Sequence, residues 1–238
     1  MVDWKSLQVS DDGTHHVKDG EPVYNNRFDK VLSFHEPGLA SVTLGNQAWH
    51  IEPSGKPVYK NRYRRTFGFY ELRAAVCDDS GWFHIDEAGE IVYNHRFAWC
   101  GNFQQSRSVV RTFDGMYFHI DRFGVEAYTD RWKYVGDYRE NAAVVHAGNN
   151  LFTHIDVRGQ LTHGIWYENL DVFHKGFARA QDNRGWMHIK VDGSPAYERR
   201  FTNVEPFYNG FARVELPDGA QEIIDELGKT TLLLRGAK

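Results

Sequence analysis

Histidine stands two residues before aspartate at His84-Ile85-Asp86, His119-Ile120-Asp121 and His154-Ile155-Asp156. An imidazole near a carboxylate has the ingredients of acid–base catalysis or of a metal site. His50 and His188 stand in related stretches, "HIEPSG" and "HIKVDG". If His50, His84, His119, His154 and His188 converged, they would suit Zn, Cu or Ni, although only the adjacent His15-His16 pair lies at close spacing. Arginines form a second series. Arg62, Arg96, Arg131 and Arg200 each follow a tyrosine by three residues and precede an aromatic. Such guanidinium groups either read an anionic ligand or stack on rings and bond carbonyls. Cys100, near His95, has the makings of a Cys–His nucleophile. It fills the slot held elsewhere by Val31, Val135, Leu170 and Val204, so a small core residue is expected there.

These residues recur because the whole chain recurs. "HHVKDG" at His15, "HIEPSG" at His50, "HIDEAG" at His84, "HIDRFG" at His119, "HIDVRG" at His154 and "HIKVDG" at His188 begin 34 or 35 residues apart, and "IIDELG" follows at Ile223. Each motif has Gly five residues on, then Tyr24, Tyr59, Tyr93, Tyr128, His163 or Tyr197, then Arg27, Arg62, Arg96, Arg131, Trp166 or Arg200. Connecting segments repeat an aromatic, a smaller residue and an aromatic, as in Tyr63/Thr66/Phe69, and lead into "AxV" pieces such as that at Ala74. Units begin near residues 7, 40, 74, 108, 143, 178 and 212, so the expectation is one repeat domain over 1–238. A catalytic set is needed once, whereas a scaffold contact is needed once per unit, and this favours a structural role for the histidines.

Each unit reads as three short antiparallel strands: "AxV", then "FHID", then the "VY" piece, with Asp- and Gly-rich turns between them. Alternation puts Ile51, Ile85, Ile120, Ile155, Ile189 and Ile224 in one core layer and the histidines on the opposite face. Asp86 and its equivalents open tight turns and should cap backbone N–H groups. The fold class is all-β, built of three- to four-stranded units. A closed β-propeller of seven or six blades covers the sheet edges, and an open β-solenoid is the alternative.

The pattern G-W-x-H-I-D-x-x-G-x-x-x-Y-x-x-R-F…F-x-x-G-x-A-x-V resembles the WG-repeat family of bacterial proteins. "GWMHIKVDGSPAYERRFTNVEPFYNGFARV" from Gly185 is the best single unit, and the resemblance covers essentially the whole chain. Histidine departs from the apolar or aromatic residue the family often has there. The resemblance implies a β-repeat module, often part of a larger chain, and transfers no catalytic residue.

A 41% hydrophobic and 15% aromatic composition supports a packed core. The net charge of −4 argues against duplex nucleic acid as partner. The two cysteines, the start of the chain and the short apolar runs lead to the expectation of a cytoplasmic protein with no membrane segment. Function is sought where the repeat breaks. The fifth unit has His163 for Tyr and Trp166 for Arg, followed by His174-Lys175, an aromatic and basic cluster suited to binding. The leading reading is a non-enzymatic binding or scaffold module for a protein or small molecule, with no cofactor. The second is a metalloprotein or enzyme using converging His and Arg residues with a transition metal, and the third is a sugar- or small-ligand-binding propeller.

Overall fold

The computed structural model describes residues 3–148 and 150–236. It is all-β: six antiparallel sheets of three strands and one of four, a set of seven consistent with a seven-bladed propeller. Among the described residues the helical content is one 3-10 turn, Trp4–Ser6.

The third sheet shows the plan. Arg65–Thr66 pairs with Ala74–Asp78, which pairs with Gly81–Ile85. In sheets two to six the first strand lies before "AxV" and not after "HI", which corrects the strand order read from the sequence there, whereas a strand does follow the equivalent of "HI" in the first sheet, Glu21–Pro22, and in the seventh, Thr230–Arg235. The "VY" piece makes only single bridges, Ile85 with Ile91 and Trp82 with Phe97. Between those bridges the chain turns, and the Arg96 guanidinium binds the carbonyls of Asn94 and His95. Carbonyls taken up this way are lost to a sheet ladder. The aspartates cap the turns as expected: Asp86 Oδ1 accepts from the N–H groups of Ala88 and Glu90.

Both faces of the "HI" strand are covered. Ile85 and His84 are each 0% exposed, and all six isoleucines of the series share that value. Alternation therefore separates two packed layers. Cys100 is fully buried as well, and burial raises its thiol pKa.

The chain divides into two compact units, Met1–Glu126 and Ala127–Lys238. The first holds sheets one to four, with clusters around Phe28, Trp49 and Ile51 and around Phe69, Phe83 and Ile85. The second holds sheets five to seven, with Phe173, Ile189, Val204 and Phe207 in its core. Inside each unit a turn glycine lies on a ring of the preceding repeat. Gly89 has φ +83°, and a Cβ there would fall 2.3 Å from Tyr59 Cδ1. Gly193 has the same relation to the His163 ring, at 2.5 Å. These positions need glycine for close approach and for backbone conformation.

Candidate binding site

The recurring histidines are wired into their own repeats. The Nε2–H of His84 donates to the Gly101 carbonyl at 2.9 Å, and its Nδ1 lies 2.5 Å from Tyr93 Oη. A carbonyl only accepts, so Nε2 carries the proton and Nδ1 accepts from the phenol. His50 is bound alike by Phe67 O and Tyr59, and His188 by Glu205 O and Tyr197. In the first repeat His16, not His15, takes this place, between Leu32 O and Tyr24. The turn after it is one residue shorter, which hid the register from a motif alignment. Burial holds the pKa of His50, His84 and His188 down to about 4. His119 is also fully buried. Among the described residues no group of three or more His, Cys, Asp or Glu side chains is placed to hold a metal ion.

The fifth repeat solves the same problem with other groups. His154 Nε2–H donates to Asp171 O at 2.9 Å, so its Nδ1 must accept, here from His163 Nε2–H at 3.0 Å. His163 Nδ1 in turn accepts the N–H of Ile165 at 3.1 Å. Burial lowers the pKa of both rings, that of His154 to about 4.

The arginine series turns inward on its own backbone. Arg62 donates to the carbonyls of Tyr59, Lys60 and Asn61, and its guanidinium lies 4.3 Å from the Trp49 ring centroid. Arg131 donates to Tyr128, Thr129 and Asp130, and Arg200 to Glu198 and Arg199 and to Asp182. Arg96 sits 3.7 Å from the Phe83 centroid. Trp166, at the arginine position, is half-buried with its ring 6.4 Å from that of Trp132.

A cavity of about 350 Å³ opens in the second unit. Arg139, Asp171, His174 and Arg179 supply its polar lining, and Val172, Phe177, Pro206 and Phe207 its apolar walls. His188 contributes a ring stacked 3.9 Å from Phe207. Arg179 is held by an ion pair to Asp171 and donates to Val204 O at 3.0 Å. Arg139 is exposed and donates to His174 Nδ1 at 3.0 Å, which puts the neutral ring's proton on Nε2. Of the residues singled out from sequence, His174 and His188 thus reach the cavity. Lys175 beside His174 does not line it: its N–H is held by Glu140, and its ammonium lies 5.4 Å from the Tyr208 ring centroid. Arg139, Asp171 and Arg179 were missed by sequence reasoning. Their signal was available, because Asp171 stands where Leu32, Phe67, Gly101 and Gly136 stand, and Arg179 where Ser41, Ala75, Val109 and Val144 stand, and only the next repeat has the same pairing, Glu205 with Arg213.

The family model described as "WG containing repeat" matches residues 82–117 and 189–218, which together are less than half of the chain. No curated protein matches it. Among solved structures, the chain is similar to the computationally designed Ika8 protein, with 14% identity, a TM-score of 0.53, and coverage of 96% of this chain and 82% of that one. It is also similar to BamB from Moraxella catarrhalis, with 11% identity, a TM-score of 0.50, and coverage of 99% and 87%. At such identities the likeness establishes a propeller-like scaffold. No helix among the described residues is long and apolar enough to cross a membrane.

Proposed function

We propose that the chain is a non-enzymatic binding module of WG-repeat type whose ligand enters the cavity at Arg139, His174 and Arg179. One contrast carries this reading. The groups that recur from repeat to repeat are taken up by bonds inside the fold, as His84 and Arg62 are. Asp171 and Arg179, a pair shared with Glu205 and Arg213 of the next repeat and absent from the others, line one cavity beside Arg139, whose guanidinium has donors to spare. A buried concave site with apolar walls and a few convergent polar groups is the ordinary form of a ligand pocket.

A mixed fragment library screened by ligand-observed NMR tests this. Hits should disappear in Val172→Trp, which fills the cavity, and none should be converted to product. Hits that survive the filled cavity would place binding elsewhere. Turnover, or a stoichiometric metal in protein purified without added metal, would favour the enzyme or metalloprotein reading.

The sugar-binding reading has its own location, a groove of about 1030 Å³ in the first unit. There Trp4 and Tyr24 stand with Asn25, Asn26 and Glu52. Aromatic faces beside amide and carboxylate groups suit a pyranose ring. Monosaccharide hits lost in Trp4→Ala would support it.

A further inference from the structure

We propose that the ligand of the Arg139 cavity is a small acid: one carboxylate joined to a flat apolar body, as in an aryl or branched alkyl acid. This rests on the binding reading above and adds the ligand's chemistry.

Charge comes first. Arg139 and Arg179 bring two positive charges and Asp171 one negative, which leaves the lining one positive charge in excess. Arg179 and Asp171 are tied to each other, so the excess belongs to Arg139. That guanidinium gives one N–H to His174 Nδ1 and keeps its other donors for a ligand. The His174 Nε2–H is a further donor in the same lining. A fork of guanidinium donors beside an imidazole N–H matches the two oxygens of a carboxylate. A single net charge suits a monoanion better than a phosphate dianion, because the second charge would face Asp171 uncompensated.

Shape comes second. Phe177 and Phe207 meet edge to face with centroids 5.0 Å apart, and Val172 and Pro206 extend the apolar wall. A ring laid against them gains burial and aromatic contact. The volume lies at the small end of the range for small-molecule pockets, which fits one ring with a short acid arm. An amine would meet Arg139 with like charge, and a neutral body would leave the Arg139 fork unused.

Calorimetry at low salt with phenylacetate, phenethylamine, benzyl alcohol and inorganic phosphate tests the class. Phenylacetate should bind at least about tenfold tighter than the other three, the usual worth of a charge-assisted hydrogen bond. Arg139→Ala should remove that preference and leave the weak binding of benzyl alcohol in place. The side chain is exposed, so the variant should keep the parent's melting temperature. A free acid and the end of a peptide share this chemistry. N-acetyl-Ala-Ala-Phe binding at least as tightly as phenylacetate would support the carboxylate assignment and place the source at chain ends. Phenethylamine or phosphate binding as tightly as phenylacetate would overturn the assignment, as would an acid preference that persists in Arg139→Ala. If other fragments still depend on the unfilled cavity, only the ligand class has failed. If no fragment depends on it, the binding reading itself has failed.

Discussion

The His50–Tyr59 node of the first unit and the His154–His163 node of the second are built to one plan from different parts. In both, Nε2–H donates to a carbonyl 17 residues on, at 2.7 Å for Phe67 O and 2.9 Å for Asp171 O. In both, a ring nine residues on meets Nδ1 edge to face. The following turn glycine lies on that second ring in each case. The position therefore demands a flat ring with a donor at its tip, and either phenol or imidazole meets the demand. The two differ in what acid does to them. Burial raises the Tyr59 pKa, so it remains a donor at any working pH. His163 donates from Nε2–H in either form, but acid would place a second proton on its Nδ1, facing the Ile165 N–H from which that nitrogen now accepts.

Acid should produce the largest effect. The ordinary histidine value is 6.5, and burial lowers the folded value of His50, His84, His154 and His188 to about 4. The unfolded chain thus takes up protons as pH falls through 6.5, while the folded chain resists until about 4. Stability is complete above pH 6.5 and is lost between 6.5 and 4, by about 1.4 kcal/mol per pH unit for each such group. The four together lose about 8 kcal/mol by pH 5 and about 14 by pH 4, comparable to a typical stability of about 5–15 kcal/mol. Far-ultraviolet circular dichroism should show cooperative unfolding near pH 5 in both nodes at once. Melting temperatures unchanged from pH 7.5 to 4.5 would mean the histidines are charged in the fold, against their hydrogen bonds.

Truncation of the central ring comes next. His50→Ala orphans Tyr59 Oη and Phe67 O and leaves a cavity, which should cost about 3–5 kcal/mol in urea unfolding. His154→Ala should cost the same, because the plan is the same. A large inequality would break the equivalence of the nodes. The glycines give a finer comparison. Gly89→Ala drives a Cβ into Tyr59, and Gly193→Ala drives one into His163, both at positive φ. About 2–3 kcal/mol is expected for each, with Gly89 the costlier because its contact is tighter and the ring larger. Equal melting temperatures for Gly89→Ala and the parent would show that the turn is not locked on the ring.

Much of this was legible beforehand because it repeats. The spacing of Ile85 and its equivalents gave the core layer, and all six are fully buried. Asp86 as a turn cap followed from its place before Gly89. The short strand Arg65–Thr66 was not legible, since two residues carry no alternation. The "VY" piece looked like a strand because its residues are β-formers, yet the Arg96 bonds decide that segment, and side-chain bonds do not show in a hydrophobic pattern. The lining of the candidate site was legible in part. His174 stood out as a broken repeat, whereas Arg179 lay inside a strand motif where only the small flanking residues, Ala178 and Ala180, were being matched. Its partner Asp171 lies eight residues away across an antiparallel pair, a distance that only the strand order supplies.

The smallest effect is the most diagnostic. His163→Tyr restores the residue type of the other repeats. The phenol reaches farther than the imidazole: the ring centroids of His50 and Tyr59 lie 5.9 Å apart, those of His154 and His163 only 5.3 Å. The new ring must withdraw by that difference, and it gives up the Ile165 N–H bond while strengthening the donor to His154 Nδ1. These changes oppose one another, so stability at pH 7.5 should move by less than about 1 kcal/mol. Below pH 6.5 the two proteins should part. The parent loses stability as its unfolded form protonates residue 163, whose folded pKa is lowered by burial, and the tyrosine variant has no such group. Proton uptake on unfolding near pH 5 should therefore be smaller in the variant, by up to about one proton, measured by calorimetry in buffers of different ionisation enthalpy. Identical uptake would show that His163 is already protonated in the fold, and the donor to His154 would then have to be an imidazolium. That outcome would put a charge at the one node where the repeat departs from tyrosine, and the comparison of the two nodes would become one of neutral against ionic wiring.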